Sequence, residues 1–381
     1  MNIKDFKAGT MAHGYQYDYF LPETINHPFT WMDEDIHELL ERASLRIGEL
    51  NACSRLVPDT DMFIKMHILK EAVVSSRIEG TRTNMEEALI DVRDIDPERR
   101  DDWEEVNNYV LAMNSAIVEL KTLPLSNRLL QKTHGVLLAS GRGVNKTPGE
   151  FRRSQNWIGG ASLSDAIFIP PSHEALPELL SDLERFLNNG KLHIPGLVRI
   201  AIAHYQFETI HPFLDGNGRL GRLLITLYLV SSGILDTPLL YLSDYFERNK
   251  TLYYDNLTRV REKNDLAQWI KFVLVGMAET AEASATTLKT IIDLKATIER
   301  KSIMLMGKRS RQGLEFFHML FKMPVVTIKE VQNMTGLSPK AAGDLVLTFV
   351  EYGILSETTG FQRNRVFIFQ RYLGLFEDRK R

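Results

Sequence analysis

Apolar positions recur every three or four residues along most of this 381-residue chain, the spacing of amphipathic helices. In MFIKMHILKEAVVSSRIEG, Met62, Met66, Leu69 and Val73 fall on one helix face, and Gly80 is placed to end the helix. Asn84, with Glu87 three residues on, forms a variant capping box and predicts a further helix start. WEEVNNYVLAMNSAIVEL, SNRLLQKTHGVLLAS, ALPELLSDLERFLNN, LVRIAIAHYQFETI and RLGRLLITLYLVSSG repeat the pattern, so the expected architecture is mainly α, helix packed on helix. One stretch breaks it. NWIGGASLSDAIFIPPS sets β-favouring runs, Trp157-Ile158 and Ile167 to Ile169, around a Gly/Ser/Asp turn and ends in a Pro pair, predicting an exposed β-hairpin. A long helical run from Thr251 follows, enough to link two domains. Beyond it, QGLEFFHMLF, TIKEVQNMTG and SPKAAGDLVLTFVEYGIL read as three helices and GILSETTGFQRNRVFIF as two strands, the order of a winged helix-turn-helix.

Composition changes this picture little: 44% hydrophobic and 25% charged residues describe an ordinary globular chain. The start, MNIKDFKAGTMAHG, lacks an apolar signal core, and the longest apolar run, near LLITLYLV, is too short to span a bilayer, so a cytoplasmic protein without a membrane partner is expected. The single cysteine, Cys53, excludes an intramolecular disulfide and reads as a small buried residue. Charge is unevenly placed. From Arg300 to Arg381 there are 14 Lys/Arg and 7 Asp/Glu, a balance of +7, which leaves −10 for the first 299 residues. That asymmetry predicts two functional halves, with Arg363 and Arg365 as phosphate-contacting candidates if the winged helix meets nucleic acid.

The densest chemistry lies in HPFLDGNGRLGR, residues 211 to 222. Pro212 disfavours helix at His211, so one helix should end there and the next open at Gly218 or Arg219. The glycines then lie at a helix N-terminus, where free N–H groups and the dipole favour an anion and Gly216 and Gly218 allow close approach. Asn217 can add a side-chain donor, and Arg219 and Arg222, three apart, can hold further phosphate oxygens. Asp215 suits Mg²⁺ held jointly with phosphate, and His211 is the nearby group suited to accept a proton. No Walker ending GK[ST] is present, and a transition-metal pair of His211 and Asp215 lacks an evident third ligand.

These residues match every position of the motif HxFx[DE]GNGRxxR, and the chain thereby resembles the Fic family. PGEFRRSQNWIGG and IFIPPS are similar to the approach to, and body of, that family's target-binding flap. The resemblance implies a helical Fic fold with a β-hairpin flap, an N-terminal Fic-associated helical region (1–110), a catalytic core (111–285) and a C-terminal winged helix (300–381). It implies transfer of AMP from ATP to a Ser, Thr or Tyr hydroxyl of a target protein. His211 would be the general base and Asp215 the Mg²⁺ holder, with Asn217 and the Gly216 and Gly218 amides around the α-phosphate and Arg219 and Arg222 on the outer phosphates. Leu220, Gly221 and Tyr253 complete the nucleotide-binding set. Ile167, Phe168, Ile169 and Pro170 would dock the target by main-chain pairing.

SSRIEG, residues 75 to 80, fits the family's inhibitory motif [ST]xxxE[GN] as Ser75, Glu79 and Gly80, with Ser75 and Glu79 on one helix face. A Glu79 carboxylate on Arg222 would occupy the γ-phosphate site and hold the enzyme autoinhibited. Three alternatives stay open: removal of AMP, another phosphate-containing donor, and a DNA-binding regulator worked by the winged helix. Self-modification and a homodimer are also open.

Overall fold

A computed structural model describes residues 1–56, 60–358, 360 and 365–377, without the side chains of 60–62, 94 and 308. The chain begins with a hairpin of β1 (Gly9–His13) and β2 (Asp18–Pro22), in which Met11 opposes Phe20. Helices α1 (Glu34–Arg55), α2 (Thr60–Ile78), α3 (Arg100–Glu119), α4 (Asn127–Leu137) and α5 (Leu176–Asn188) follow. The centre is α6 (Gly196–Ile210) and α7 (Asn217–Ser231), then α8 (Ser243–Arg248), α9 (Lys250–Lys263) and the long α10 (Leu266–Lys301). Every residue of α6 from Leu197 to Ile210 is buried, so this helix carries no amphipathic stripe and runs through the middle of the molecule. Helices α5, α7 and α10 pack on it, and α1 lies along α10. The described face of α2, Met66, Leu69 and Val73, is buried as its spacing predicts.

The C-terminal unit comprises α11 (Ser310–Leu320), β3 (Val325–Thr327), α12 (Ile328–Thr335), α13 (Pro339–Glu351), β4 (Ser356–Glu357), β5 (Val366–Ile368) and α14 (Gln370–Leu373), with sheet order β3-β5-β4. A capping box starts α12: Thr327 Oγ1 accepts from Glu330 N–H, and the Glu330 carboxylate accepts from Thr327 N–H. Arg363 lies outside the described residues. Arg365 bonds Glu357 at 3.2 Å and lies over the Phe367 ring, so its charge is met within the C-terminal unit. This unit is joined to α2 by ring contacts, Phe63 with Phe321 and His67 with Phe376. Among the described residues no helix is long and apolar enough to cross a membrane.

Two expectations are corrected. Asn84 and Glu87 do exchange capping-box bonds, at 2.9 and 3.1 Å, but they open a 3₁₀ turn, Glu87–Leu89, rather than an α-helix. Asp91 and Asp96 then each cap a new 3₁₀ turn, and Pro97 removes an N–H donor, so the segment stays broken until α3. The 157–169 hairpin is reduced to one antiparallel bridge, Ile158 with Phe168. Gly159 and Gly160 turn the chain at positive φ, and the Asp165 carboxylate takes the N–H groups of Ala161 and Ser162, which leaves a long self-bonded turn in place of a ladder.

Candidate active site

Helix α6 ends at Ile210, and His211 caps it in the left-handed region at φ 50°, ψ 61°. A non-glycine residue there costs about 1–3 kcal/mol and persists where its surroundings enforce it. Enforcement comes from the His211 carbonyl, which accepts from Arg152 Nε at 3.0 Å and from Asn156 Nδ2 at 3.1 Å. The imidazole is half-buried; its desolvation brings its pKa down to about 4, against a main-chain contact with Glu208 that raises it, so the ring is neutral near pH 7.

The loop from Phe213 to Asn217 is closed by Asn217, whose Oδ1 accepts from Phe213 N–H and whose Nδ2 donates to Phe213 O, both at 2.8 Å. The side-chain donor expected for an anion is thus engaged inside the loop. Gly216 follows at φ 73° as the cap of α7, which opens at Asn217, one residue before its expected start. A side chain at Gly218 would collide with the Glu79 carboxylate and crowd Arg222, so the glycine space at this helix N-terminus is already filled by an anion. Asp215 Oδ1 accepts from Gly216 N–H at 2.6 Å, and its side chain is 43% exposed. One reachable carboxylate beside an anion cradle suits Mg²⁺ shared with phosphate oxygens, although among the described residues no cluster of three or more metal-binding side chains occurs.

Arg219 and Arg222 are buried, and each meets a carboxylate from the N-terminal region. Arg219 Nη1 bonds Glu105 Oε2 at 3.0 Å, and Arg142 bonds the other Glu105 oxygen at 2.7 Å. Arg222 Nη2 bonds Glu79 Oε1 at 2.7 Å and Ser75 O at 2.9 Å, while its Nε donates to Ser75 Oγ at 2.9 Å. Burial pushes the Glu79 pKa up, but the charge of Arg222, its hydrogen bond and the charge of Arg219 together outweigh this and hold it below the usual carboxylate value. Ser75 and Glu79 thus converge on the Arg222 guanidinium, and Gly80 turns the chain away at φ 104°.

Other named residues fall elsewhere. Leu220 and Gly221 lie on the core side of α7: Leu220 is fully buried, and a side chain at Gly221 would strike Glu208 and Phe207 of α6. Both positions pack α7 against the core. Tyr253 is buried, its hydroxyl donates to His204 Nε2 at 3.0 Å, and its ring stacks on Phe246; its neighbour Tyr254 is the exposed one. In the flap, Ile167 is 80% exposed and Pro170 is buried. Phe168 lies under the Arg261 guanidinium at 3.7 Å, and Ile169 O accepts from Phe20 N–H at 3.0 Å, so β2 already borders one edge of the segment.

Sequence reasoning missed several residues that build this site. His134 stacks on Phe213 with ring centroids 3.8 Å apart, accepts from Gly149 N–H through Nδ1 and donates from Nε2 to Asp215 O. The Gly149 donor fixes that tautomer. Glu208, one turn before His211, is pushed up to about 7 by burial, against the lowering charge of Arg222. Arg152 and Asn156 had a signal in PGEFRRSQNWIGG, but nothing in spacing connects them to His211.

A helical protein in which a carboxylate stands at the N-terminus of a central helix, entered by a histidine turn that is tied to a long turn at 157–169, is the class this fold and geometry define. The chain matches the Fic/DOC family N-terminal model over residues 37–118 and the Fic/DOC family model over 124–229. In these regions it belongs to the Fic/DOC family. The protein adenylyltransferase Fic of Drosophila erecta is 29% identical over 168 residues, 43% of this chain and 29% of that protein. Its counterpart in Culex quinquefasciatus is 37% identical over 126 residues, 33% of this chain and 22% of that one. The chain therefore spans less than a third of the length of these curated relatives. A solved Fic family protein from Desulfovibrio desulfuricans shares the fold with TM-score 0.58 and 21% identity, covering 90% of this chain and 98% of its own. A Fic domain-containing signaling protein from Bacteroides thetaiotaomicron aligns with TM-score 0.51 and 17% identity over 67% of this chain and 97% of its own.

Proposed function

We propose that this protein is an autoinhibited protein adenylyltransferase. The observation that carries the reading is the Glu79 carboxylate lying over Gly218 and on Arg222, an anion standing where a nucleotide phosphate would sit. The names of the relatives support AMP transfer as the chemistry. In the active state ATP places its outer phosphates on Arg222 and Arg219 and its α-phosphate at the Gly216–Gly218 amides. Asp215 would hold Mg²⁺ together with the phosphates, and the ion would supply charge neutralisation. The target hydroxyl oxygen bonds to the α-phosphorus, the bond to the bridging oxygen breaks, pyrophosphate leaves, and the hydroxyl proton passes to the neutral His211 ring. An extended target segment pairs at the outward tip of the flap, around Ile167, which aims the hydroxyl. The chain acts in the cytoplasm, where its lone Cys53 remains a thiol.

Like charges 4 Å apart repel by about 4 kcal/mol at an effective dielectric of 20, so Glu79 need only stay in place to misdirect the triphosphate. The test is incubation with Mg²⁺ and ATP labelled at the α-phosphate, with and without cell lysate, of the wild type, Glu79→Gly, and Glu79→Gly/His211→Ala. Label on protein should rise at least about tenfold in Glu79→Gly, the equivalent of 1.4 kcal/mol of barrier, and vanish in the double variant. No label from any of the three, with ATP bound, would redirect the assignment to another donor or to AMP removal.

A further inference from the structure

The catalytic turn is held by a buried cation and an amide that belong to the flap segment. Arg152 is buried, and its guanidinium donates to four carbonyls: His211 from Nε at 3.0 Å, Ser154 from Nη1 at 3.2 Å, and Pro171 and Ile210 from Nη2. Its own N–H donates to Pro212 O at 2.9 Å. Ile210 and His211 are the last carbonyls of α6, so the cation sits at the negative end of that helix and satisfies groups that helical bonding leaves open. Asn156 Nδ2 donates to His211 O and to Phe213 O, the latter at 2.9 Å. Ser154 and Asn156 lie just before the turn 157–169, and Pro171 lies just after it. Both roots of the flap and the carbonyl of the strained base turn therefore share one set of donors. Gln155 completes the tie, bonding Asn156 O and Pro170 O at 3.0 and 2.8 Å.

We propose that Arg152 and Asn156 are positioning residues that hold His211 in its left-handed turn and bind it to the roots of the flap, so that base and target-docking segment keep one relative geometry. The inference rests on adenylyl transfer as the activity. Neither residue touches the phosphate cradle in this arrangement, so losing them should harm turnover and leave nucleotide binding alone.

The test uses the Glu79→Gly protein as parent and adds Asn156→Ala, Arg152→Ala or Arg152→Lys. Turnover should fall about 10- to 100-fold, as a displacement near 1 Å of a reacting group does, with affinity for ATP, measured by calorimetry, within about twofold of the parent. Added guanidinium should restore part of the turnover in Arg152→Ala and none in Asn156→Ala. Cα and Cβ chemical shifts of isotopically labelled His211 should leave their left-handed values in each variant. Unchanged turnover in folded variants, or ATP affinity lost in proportion to turnover with His211 shifts unmoved, would overturn the proposal. If Arg152→Ala does not fold, Asn156→Ala decides. If the parent transfers no label, adenylyl transfer is the reading that fails, and the His211 shifts still test the positioning.

Discussion

His211 can act as a base because burial keeps it neutral, with a pKa drawn down to about 4. Replacing it by alanine in the Glu79→Gly background should lower transfer by about 10²- to 10⁴-fold, the range of a lost general base, while ATP binding survives; lost binding would make its role structural. Gly218 tests the cradle from the other side. Gly218→Ala puts a methyl group where Glu79 sits and where the proposed reaction needs a phosphate. Affinity for ATP should therefore fall about tenfold or more, a cost of about 1.4 kcal/mol, and calorimetry that finds it unchanged would place the phosphates elsewhere. The motif made the residue types legible. Their use was not: Asn217 closes a loop, Leu220 and Gly221 pack a core, and Arg219 meets Glu105, because each depends on neighbours 4 to 114 positions away.

At the scale of elements, helices were readable where one face is apolar and the ends are capped. Ser126 at the start of α4 and Ser338 before Pro339 at the start of α13 cap as their residue types require. Where polar side chains compete with helical bonding, as at Asn84 to Pro97, the pattern misled. The capping box of α12 should make Thr327→Ala cost about 1 kcal/mol, lowering the melting temperature of the C-terminal unit by a few degrees. An unchanged melting curve would mean that tertiary packing alone holds α12. Helix α2 is one element with two attachments: its first turns touch the C-terminal unit at Phe321 and Phe376, and its last turn delivers Ser75 and Glu79 to Arg222.

For the whole molecule, buried titratable groups set the pH range of stability. His67, His134 and His211 are drawn down to about 4 and His204 to about 3, each chiefly by burial. From pH 6.5 down to about 4 the unfolded chain binds protons that these rings refuse, so each removes about 1.4 kcal/mol of stability per pH unit. Glu71 and Glu208, pushed up to about 7 by burial, act oppositely between 7 and 4.5, leaving a net excess of roughly two protons for the unfolded state. The melting temperature should fall between pH 7 and pH 5; an equal or higher value at pH 5 would mean these rings are not buried neutral. By itself the sequence determined the helical class, most of the central and C-terminal helices and the residue types of the motif at 211 to 222, because periodicity, capping and a dense motif are local. Tertiary structure alone decided that Glu79 reaches Arg222 across 143 positions, that Arg152 and Asn156 grip the His211 carbonyl, and that β2 borders the 157–169 turn segment at Ile169. These contacts join segments whose spacing in the chain carries no trace of their distance in space.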